Sequence, residues 1–174
     1  QVTARGSAKI LGRQIFPEMG GKMHEIPENL KKIYTKDDLY WEVSDPKIRE
    51  IAEKLFDPHK TVAENAHKVH NYVVENLTYM EVAESSQDIE RKGAVKALDK
   101  GENVCMEFTD LFVALTRAMG IPAREINGYA ISNGERVSPL EVDFNNKDIL
   151  HSWAEFYDPK FGWIQVDPAW ENTS

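Results

Sequence analysis

Cysteine is nearly absent from this sequence, which has a single one, Cys105, among its 174 residues. A lone thiol can form no internal disulfide, so a disulfide framework does not hold the fold together. Long apolar runs are also missing, and none approaches the ~20 residues that a membrane-spanning helix needs. We therefore expect a globular protein without a membrane segment, in which Cys105 is either a packing residue or a reactive group.

Positive charge is scarce as well. The chain has 21 Lys and Arg against 29 Asp and Glu, which gives a formal net charge of -8. Such a surface repels phosphate backbones, so we expect no nucleic-acid partner. Gly20-Gly21 lacks the lysine and hydroxyl spacing of a P-loop, and no other glycine loop suits a phosphate. We expect no cofactor.

The composition predicts one domain. Hydrophobic residues make up 41% of the chain and charged residues 29%, which is ordinary for a globular protein of this size. We predict that residues 1–44 form an arm of one or two strands, loops and one short helix within the same domain, and that residues 45–174 form its core. The chain begins without Met or an apolar signal segment, which indicates a piece of a longer chain or a processed product.

Three helices are predicted in the first part of the core. An N-cap at Asp45, followed by apolar residues at helical spacing, predicts a helix that is ended by Asp57-Pro58. Thr61 and Glu64 have the spacing of a capping box, and the apolar stripe behind them predicts a second helix of about 16 residues. A third, shorter helix is predicted over residues 89–98.

Cys105 lies at the start of the helix with the clearest apolar pattern. One face of that helix carries Phe108, Leu111, Phe112, Leu115 and Met119, and Gly120-Ile121-Pro122 then ends it. In the first turn, unpaired backbone N–H groups and the positive end of the helix dipole stabilise a thiolate, which is the nucleophilic form of sulfur. This placement favours a reactive role for Cys105 over a packing role.

The rest of the chain is β-rich. Residues 123–131 predict a strand with a bulge at Gly128. The polar stretch 132–150 predicts a long loop, of the kind that often borders a functional cleft. Residues 151–157 and 163–167 predict a hairpin around a five-residue turn. Helices followed by an antiparallel sheet predict an α+β fold.

The hairpin brings a histidine and an aspartate together. Side chains alternate along a strand, and the turn length favours an odd-with-odd register. His151 and Asp167 then lie on one face at the open end, opposite or diagonal, with Cβ atoms ~5 to 8 Å apart. If the start of the Cys105 helix packs against that end, the three residues supply a nucleophile, a base and a group that orients the base.

Three sequence blocks occur in order and carry all three of these residues: Gly101-Glu102-Asn103-Val104-Cys105 with Arg117-Ala118-Met119-Gly120-Ile121-Pro122, then His151-Ser152-Trp153-Ala154-Glu155, then Gly162-Trp163 with Asp167-Pro168. Together they resemble the core of the transglutaminase-like superfamily. The resemblance implies a papain-like α+β fold, with N-terminal helices packed on an antiparallel sheet and Cys105, His151 and Asp167 as the catalytic triad. It does not imply one reaction, because relatives include protein crosslinkers, proteases, peptide N-glycanases and inactive scaffolds.

Acyl transfer also needs donors for the developing negative oxygen. The backbone N–H of Cys105 is one natural donor. Tyr79, Gln87 and Asn103 are candidates for the second, and we favour Tyr79 because its hydroxyl can donate and it follows a helix expected beside the nucleophile. A core tyrosine closing that helix is the alternative interpretation. Trp153 is expected to pack on the sheet or to shield the imidazole from water.

Other polar residues have structural interpretations. We expect Glu155 to form a solvent-side ion pair with a lysine, and Arg117 and Arg124 to form ion pairs or cap a helix end. His67 and His70 have a spacing that can ligate metal, yet they lack an accompanying Cys, Asp or Glu set. No metal site is predicted.

The function that these residues indicate is thiol-based acyl chemistry on a peptide or side-chain amide, with hydrolysis as the first hypothesis and a peptide or protein as the substrate. Transfer of the side-chain acyl group of a protein glutamine to an amine is the close alternative. A scaffold module that lost turnover is a second alternative, against which the complete triad argues. A redox-sensing thiol that cycles through sulfenic acid is a third.

Overall fold

A computed structural model describes residues 15–80, 90–99, 101–130 and 149–172. Its α-helices are α1 (Glu28–Tyr34), α2 (Pro46–Leu55), α3 (Val62–Asn76), α4 (Ala94–Ala97), α5 (Cys105–Ala118) and α6 (Pro168–Asn172). Its strands are β1 (Thr78–Tyr79), β2 (Glu102–Asn103), β3 (Ala123–Ala130), β4 (Ile149–Asp158) and β5 (Gly162–Val166). Short 3-10 helices cover Pro17–Met19 and Met23–Glu25. Helices packed with an antiparallel sheet confirm the predicted α+β class.

Helix α5 is the centre of the core. Every residue from Glu107 to Arg117 is buried, and the helix packs against α2, α3 and α4 as well as against β3 and β4. Phe108 and Phe112 are fully buried, and burying a side chain of this size is worth about 1.5–3 kcal/mol. The packing therefore holds α5, and with it the position of Cys105, in the middle of the molecule.

The predicted caps of α2 and α3 are confirmed. The Asp45 side chain accepts the N–H of Lys47 at 2.8 Å. At the start of α3, Thr61 Oγ1 accepts the N–H of Glu64 at 3.0 Å, while Glu64 Oε2 accepts the N–H of Thr61 at 2.8 Å. These reciprocal bonds satisfy N–H groups that have no acceptor within the helix, which explains why α3 begins at Val62.

The strands form two sheets. The larger one has the order β3-β4-β5 and is antiparallel, and the smaller one pairs β1 with β2 in parallel. In the hairpin, Tyr157 pairs with Trp163 and Glu155 with Gln165, so the predicted odd-with-odd register is confirmed.

The bulge predicted at Gly128 is wrong. Pairing of β3 with β4 runs without interruption, and Gly128 lies opposite His151. A Cβ at this position would come within 2.6 Å of the Trp153 indole, so glycine permits a close approach instead. Strand β4 begins at Ile149, two residues earlier than predicted. The remainder of the predicted loop, residues 132–148, lies outside the described part of the chain.

The third predicted helix is much shorter than expected. Only Ala94–Ala97 is helical, and Ile89 lies outside the described residues. Gly93 has φ of 85°, a left-handed conformation that interrupts an α-helix. The Lys92 N–H donates to Glu107 Oε1 at 3.0 Å, so the segment before Gly93 bonds to α5 instead of forming its own helical turn.

The N-terminal arm also differs from the prediction. Within residues 15–44 the helix α1 is present, but the only β pairing is an isolated bridge between Asp38 and Trp41, so the predicted strands are absent from that range. The Gly21 N–H donates to Asp158 at 3.1 Å, and Ile26 is part of the hydrophobic core. The division into an arm and a core stays a prediction.

Candidate active site

The start of α5 suits a negatively charged sulfur. Cys105 is half-buried and occupies the first helical position after the N-cap Val104, so its N–H has no acceptor within the helix. Glu107 Oε2 accepts the N–H of Val104 at 3.0 Å, which fixes the chain just before the thiol. The remaining N–H groups and the helix dipole favour an anion at Cys105.

His151 and Asp167 are in direct contact. The His151 Nε2–H donates to Asp167 Oδ2 at 2.6 Å. Strand pairing ends at Ala154 opposite Val166, so the two residues are diagonal neighbours beyond the last pair. The second oxygen, Asp167 Oδ1, accepts the backbone N–H of Trp170 at 3.2 Å, which fixes the orientation of the carboxylate.

The surroundings of His151 favour the charged form of its imidazole. Burial alone would lower its pKa, but interactions with Asp167 and with the Cys105 thiol outweigh burial and raise the pKa to about 9. Asp167 occupies Nε2, so Nδ1 is the ring nitrogen left to face the sulfur. Among the described residues, this buried Nδ1 has no hydrogen-bond partner at normal distance. The His151 ring and the Cys105 side chain therefore interact at the start of α5.

Two indoles flank the imidazole. Trp153 stacks against it with ring centroids 6.1 Å apart and planes 26° apart, and Trp170 meets it edge-on at 5.9 Å. Trp153 was a sequence candidate, whereas Trp170 was missed; its only signal was an aromatic residue three positions after Asp167. The indoles reduce access of water to the His151–Asp167 pair, which strengthens the attraction between these charges.

Tyr79 lies near Cys105 and Asp167. The β1–β2 ladder sets it opposite Asn103, two residues before Cys105. Burial, together with the nearby Cys105 and Asp167, raises the pKa of the Tyr79 hydroxyl. The hydroxyl therefore keeps its proton and can act as a hydrogen-bond donor near the sulfur.

The other two oxyanion candidates differ from Tyr79. Asn103 is buried, and its Nδ2 donates to the carbonyls of Ala97 and Gly101, both at 3.4 Å. Its amide therefore has a structural role in the loop before β2. Gln87 lies outside the described residues.

The structure revises the arginine and glutamate interpretations. Glu155 pairs with Arg124 on the neighbouring strand, with Nη2 and Oε2 2.7 Å apart, so the predicted lysine partner is wrong and the ion pair predicted for Arg124 is confirmed. Arg117 instead donates to the backbone carbonyls of Ala123 at 2.9 Å and Lys36 at 2.7 Å. It therefore joins the arm to the start of β3.

His67 and His70 are stacked on α3 with ring centroids 6.2 Å apart. In the described ranges, no group of three His, Cys, Asp or Glu side chains is arranged to hold a metal ion. The absence of a metal site and of a cofactor stays a prediction.

The family follows from the sequence as a whole. A model of the transglutaminase-like superfamily matches residues 49–168, a range that includes Cys105, His151 and Asp167. The chain therefore belongs to the transglutaminase-like superfamily.

Individual relatives agree with this assignment. The uncharacterized protein YebA of Bacillus subtilis is 28% identical over 146 residues, which cover 78% of this chain and 19% of YebA. A protein-glutamine gamma-glutamyltransferase of Pseudomonas aeruginosa is 30% identical over 73 residues, or 42% of this chain and 11% of that protein.

A solved structure supports the fold. The crystal structure of a Cytophaga hutchinsonii protein proposed to be a cysteine protease superposes with a TM-score of 0.63 at 21% identity, covering 87% of this chain and 46% of its own. The chain spans less than half the length of each of these three proteins. No helix in the described ranges is long and apolar enough to cross a bilayer.

Proposed function

We propose that this domain hydrolyses a peptide or side-chain amide through a thioester on Cys105, with His151 as acid and base and Asp167 as the group that orients it. The observation that carries the proposal is the 2.6 Å His151–Asp167 hydrogen bond beside a cysteine at the start of a buried helix. The helix start favours a thiolate at Cys105, and the hydrogen bond to Asp167 favours an imidazolium at His151. The His151 ring also interacts with Cys105, so the three side chains lie close to one another.

The reaction divides into two steps. In the first, the Cys105 sulfur attacks the amide carbonyl carbon, a C–S bond forms, and the C–N bond breaks as the imidazolium gives its proton to the leaving nitrogen. In the second, neutral His151 takes a proton from water, the oxygen attacks the thioester, and the carboxylic acid leaves as the C–S bond breaks. Sulfur returns as thiolate and His151 as imidazolium.

Both steps pass through a negatively charged oxygen. We assign its stabilisation to the backbone N–H of Cys105 and the hydroxyl of Tyr79. The first is supported by its position at the helix start, and the second by the protonated state that its environment favours. Loss of one such donor typically lowers kcat by about 10²–10³-fold.

Transfer to an amine is the second candidate reaction, and the name of the Pseudomonas relative favours it. The thioester is common to both reactions, which differ only in whether water or an amine attacks it. A scaffold without turnover would have no need for a buried, oriented imidazole, so the retained His151–Asp167 pair argues against that role.

One assay separates these possibilities. The protein is incubated with a glutamine-containing peptide and a labelled primary amine, and free ammonia, cleavage products and incorporated label are measured, with Cys105→Ala as the control. Hydrolysis predicts ammonia or cleaved peptide with little label, whereas transfer predicts label on the peptide. Absence of all three products over a panel of peptides, or equal turnover by the control, would contradict the proposal.

A further inference from the structure

A buried ionic cluster joins helix α5 to strand β3. Arg91 Nε donates to Asp110 Oδ2 at 2.9 Å, and its Nη2 bonds the other oxygen of the same carboxylate. The same guanidinium contacts Glu125, with Nη1 3.1 Å from Oε2 and Nη2 3.0 Å from Oε1. One arginine thus holds two carboxylates on two different elements, helix α5 and strand β3.

The carboxylates that Arg91 contacts are buried and have further hydrogen-bond partners. The side chain of Asp110 is fully buried and that of Glu125 is 9% exposed. Trp41 Nε1 donates to Asp110 Oδ1 at 2.8 Å, and the Tyr40 ring lies 4.3 Å from the guanidinium carbon. Little water reaches these charges, so both carboxylates depend on their contact with the one Arg91 guanidinium.

The cluster also extends to the strand that carries the imidazole. Ser152 Oγ donates to Glu125 Oε1 at 2.8 Å, and Ser152 is the residue directly after His151. At the other end, Asp110 is on the same helix as Cys105, little more than one turn further along. A continuous chain of hydrogen bonds therefore joins the helix of the nucleophile to the strand of the base.

Lys92, the residue after Arg91, also bonds this segment to α5. The Lys92 N–H bonds Glu107 Oε1, and the other oxygen of Glu107 accepts the N–H of Val104. Lys92 Nζ donates to the carbonyl of Glu102 at 2.6 Å. The segment that carries Arg91 is thus bonded to the first turn of α5 and to the residues just before it.

We propose that Arg91 is a positioning residue that sets the distance between Cys105 and His151 by holding Asp110 and Glu125 together. The proposal rests on the proposed function for its catalytic meaning. Arginine suits this place because its planar fork makes two pairs of N–H bonds at once, which the single ammonium of a lysine does not do.

Substitution of Arg91 tests the proposal. Arg91→Met leaves two buried carboxylates facing each other, which should move β3 and β4 away from α5. A displacement of about 1 Å at the triad can lower kcat by about 10²-fold, with little change in KM. Alkylation of Cys105 by iodoacetamide at neutral pH should slow toward the rate of His151→Ala, and Arg91→Lys should recover part of both losses.

Glu125→Gln covers the case in which Arg91→Met does not fold. It leaves the Arg91–Asp110 pair neutral and intact, and weakens only the connection to the sheet. Both kcat and the rate of Cys105 alkylation should fall, by a smaller factor than in Arg91→Met. Thermal unfolding and near-UV circular dichroism show whether each variant retains its fold.

Arg124→Met is the matched control. Arg124 also pairs with a carboxylate across β3 and β4, that of Glu155, but this pair contains no residue of α5. Its loss should leave kcat and alkylation near the wild-type values. Equal losses in Arg124→Met and Arg91→Met, or unchanged readouts in folded Arg91→Met and Glu125→Gln, would overturn the positioning role.

The alkylation readout also separates this proposal from the proposed function. If the wild-type protein turns over no substrate, the proposed function fails, while the rate of Cys105 alkylation still reports whether His151 activates the thiol. The positioning role then stands if His151→Ala and Arg91→Met both slow alkylation. It fails if alkylation of the wild-type protein does not depend on His151.

Discussion

The His151–Asp167 pair makes folding stability depend on pH in a definite direction. Against burial, which acts in the opposite sense, interactions with Asp167 and Cys105 raise the pKa of the ring from 6.5 to about 9. Because the pKa in the folded protein is above that in the unfolded chain, this contribution is fully present below pH 6.5 and is lost as the pH rises through 9. Asp167→Asn removes the carboxylate that accepts the Nε2–H.

The size of the effect follows from the same values. The rise from 6.5 to about 9 corresponds to roughly 3 kcal/mol of folding free energy, since each pKa unit is worth about 1.4 kcal/mol. The interaction with Cys105 contributes part of the rise in the pKa of His151. Asp167→Asn should therefore lower that pKa by about 1 to 2 units. The variant should lose about 2 kcal/mol of stability below pH 6.5 and much less above pH 9.

Two measurements check this prediction. Nuclear magnetic resonance of the imidazole C–H protons follows the titration of each of the 5 histidines, and a His151→Gln spectrum assigns the signal. Denaturant unfolding of wild type and Asp167→Asn at low and high pH gives the difference in stability. A wild-type ring that titrates near 6.5, or a stability loss that is the same at both pH values, would refute the reasoning.

Three further predictions concern single residues. Cys105→Ala should abolish turnover and keep the fold, because the side chain is small and half-buried; unfolding of this variant would assign the cysteine to the core instead. Tyr79→Phe should lower kcat by about 10²-fold with little change in KM, and unchanged kinetics would remove Tyr79 from the oxyanion site. Gly128→Ala should displace the Trp153 indole and cost about 1–3 kcal/mol of stability in denaturant unfolding; a stable variant with unchanged indole fluorescence would contradict the close approach.

Local chemistry explains what could be predicted from the sequence. The helix start at Asp45, the capping box of Thr61 and the apolar face of α5 depend on residues three or four positions apart, which local rules describe well. The hairpin register followed from the turn length and the alternation of side chains. That register was enough to predict that His151 and Asp167 approach each other.

The features that were predicted wrongly or missed depend on contacts between residues that are distant in the sequence. The shortened third helix follows from hydrogen bonds to α5, and the role of Gly128 depends on an indole from the next strand. Arg91 was missed because its partners Asp110 and Glu125 are 19 and 34 positions away. A charged residue at position 110, next to the apolar residues Leu111 and Phe112, was a signal of burial, but it did not identify the partner.

The central claim is that Cys105 forms a thioester during turnover. The most direct test mixes the protein with an activated acyl ester or anilide, quenches with acid within one turnover, and measures the mass of the peptide that contains residue 105. The account predicts an acyl group on Cys105 in the wild-type protein, which persists longer in His151→Ala and is absent from Cys105→Ala. Turnover that continues in Cys105→Ala, or turnover by the wild-type protein with no acyl group on this peptide at any time, would contradict it.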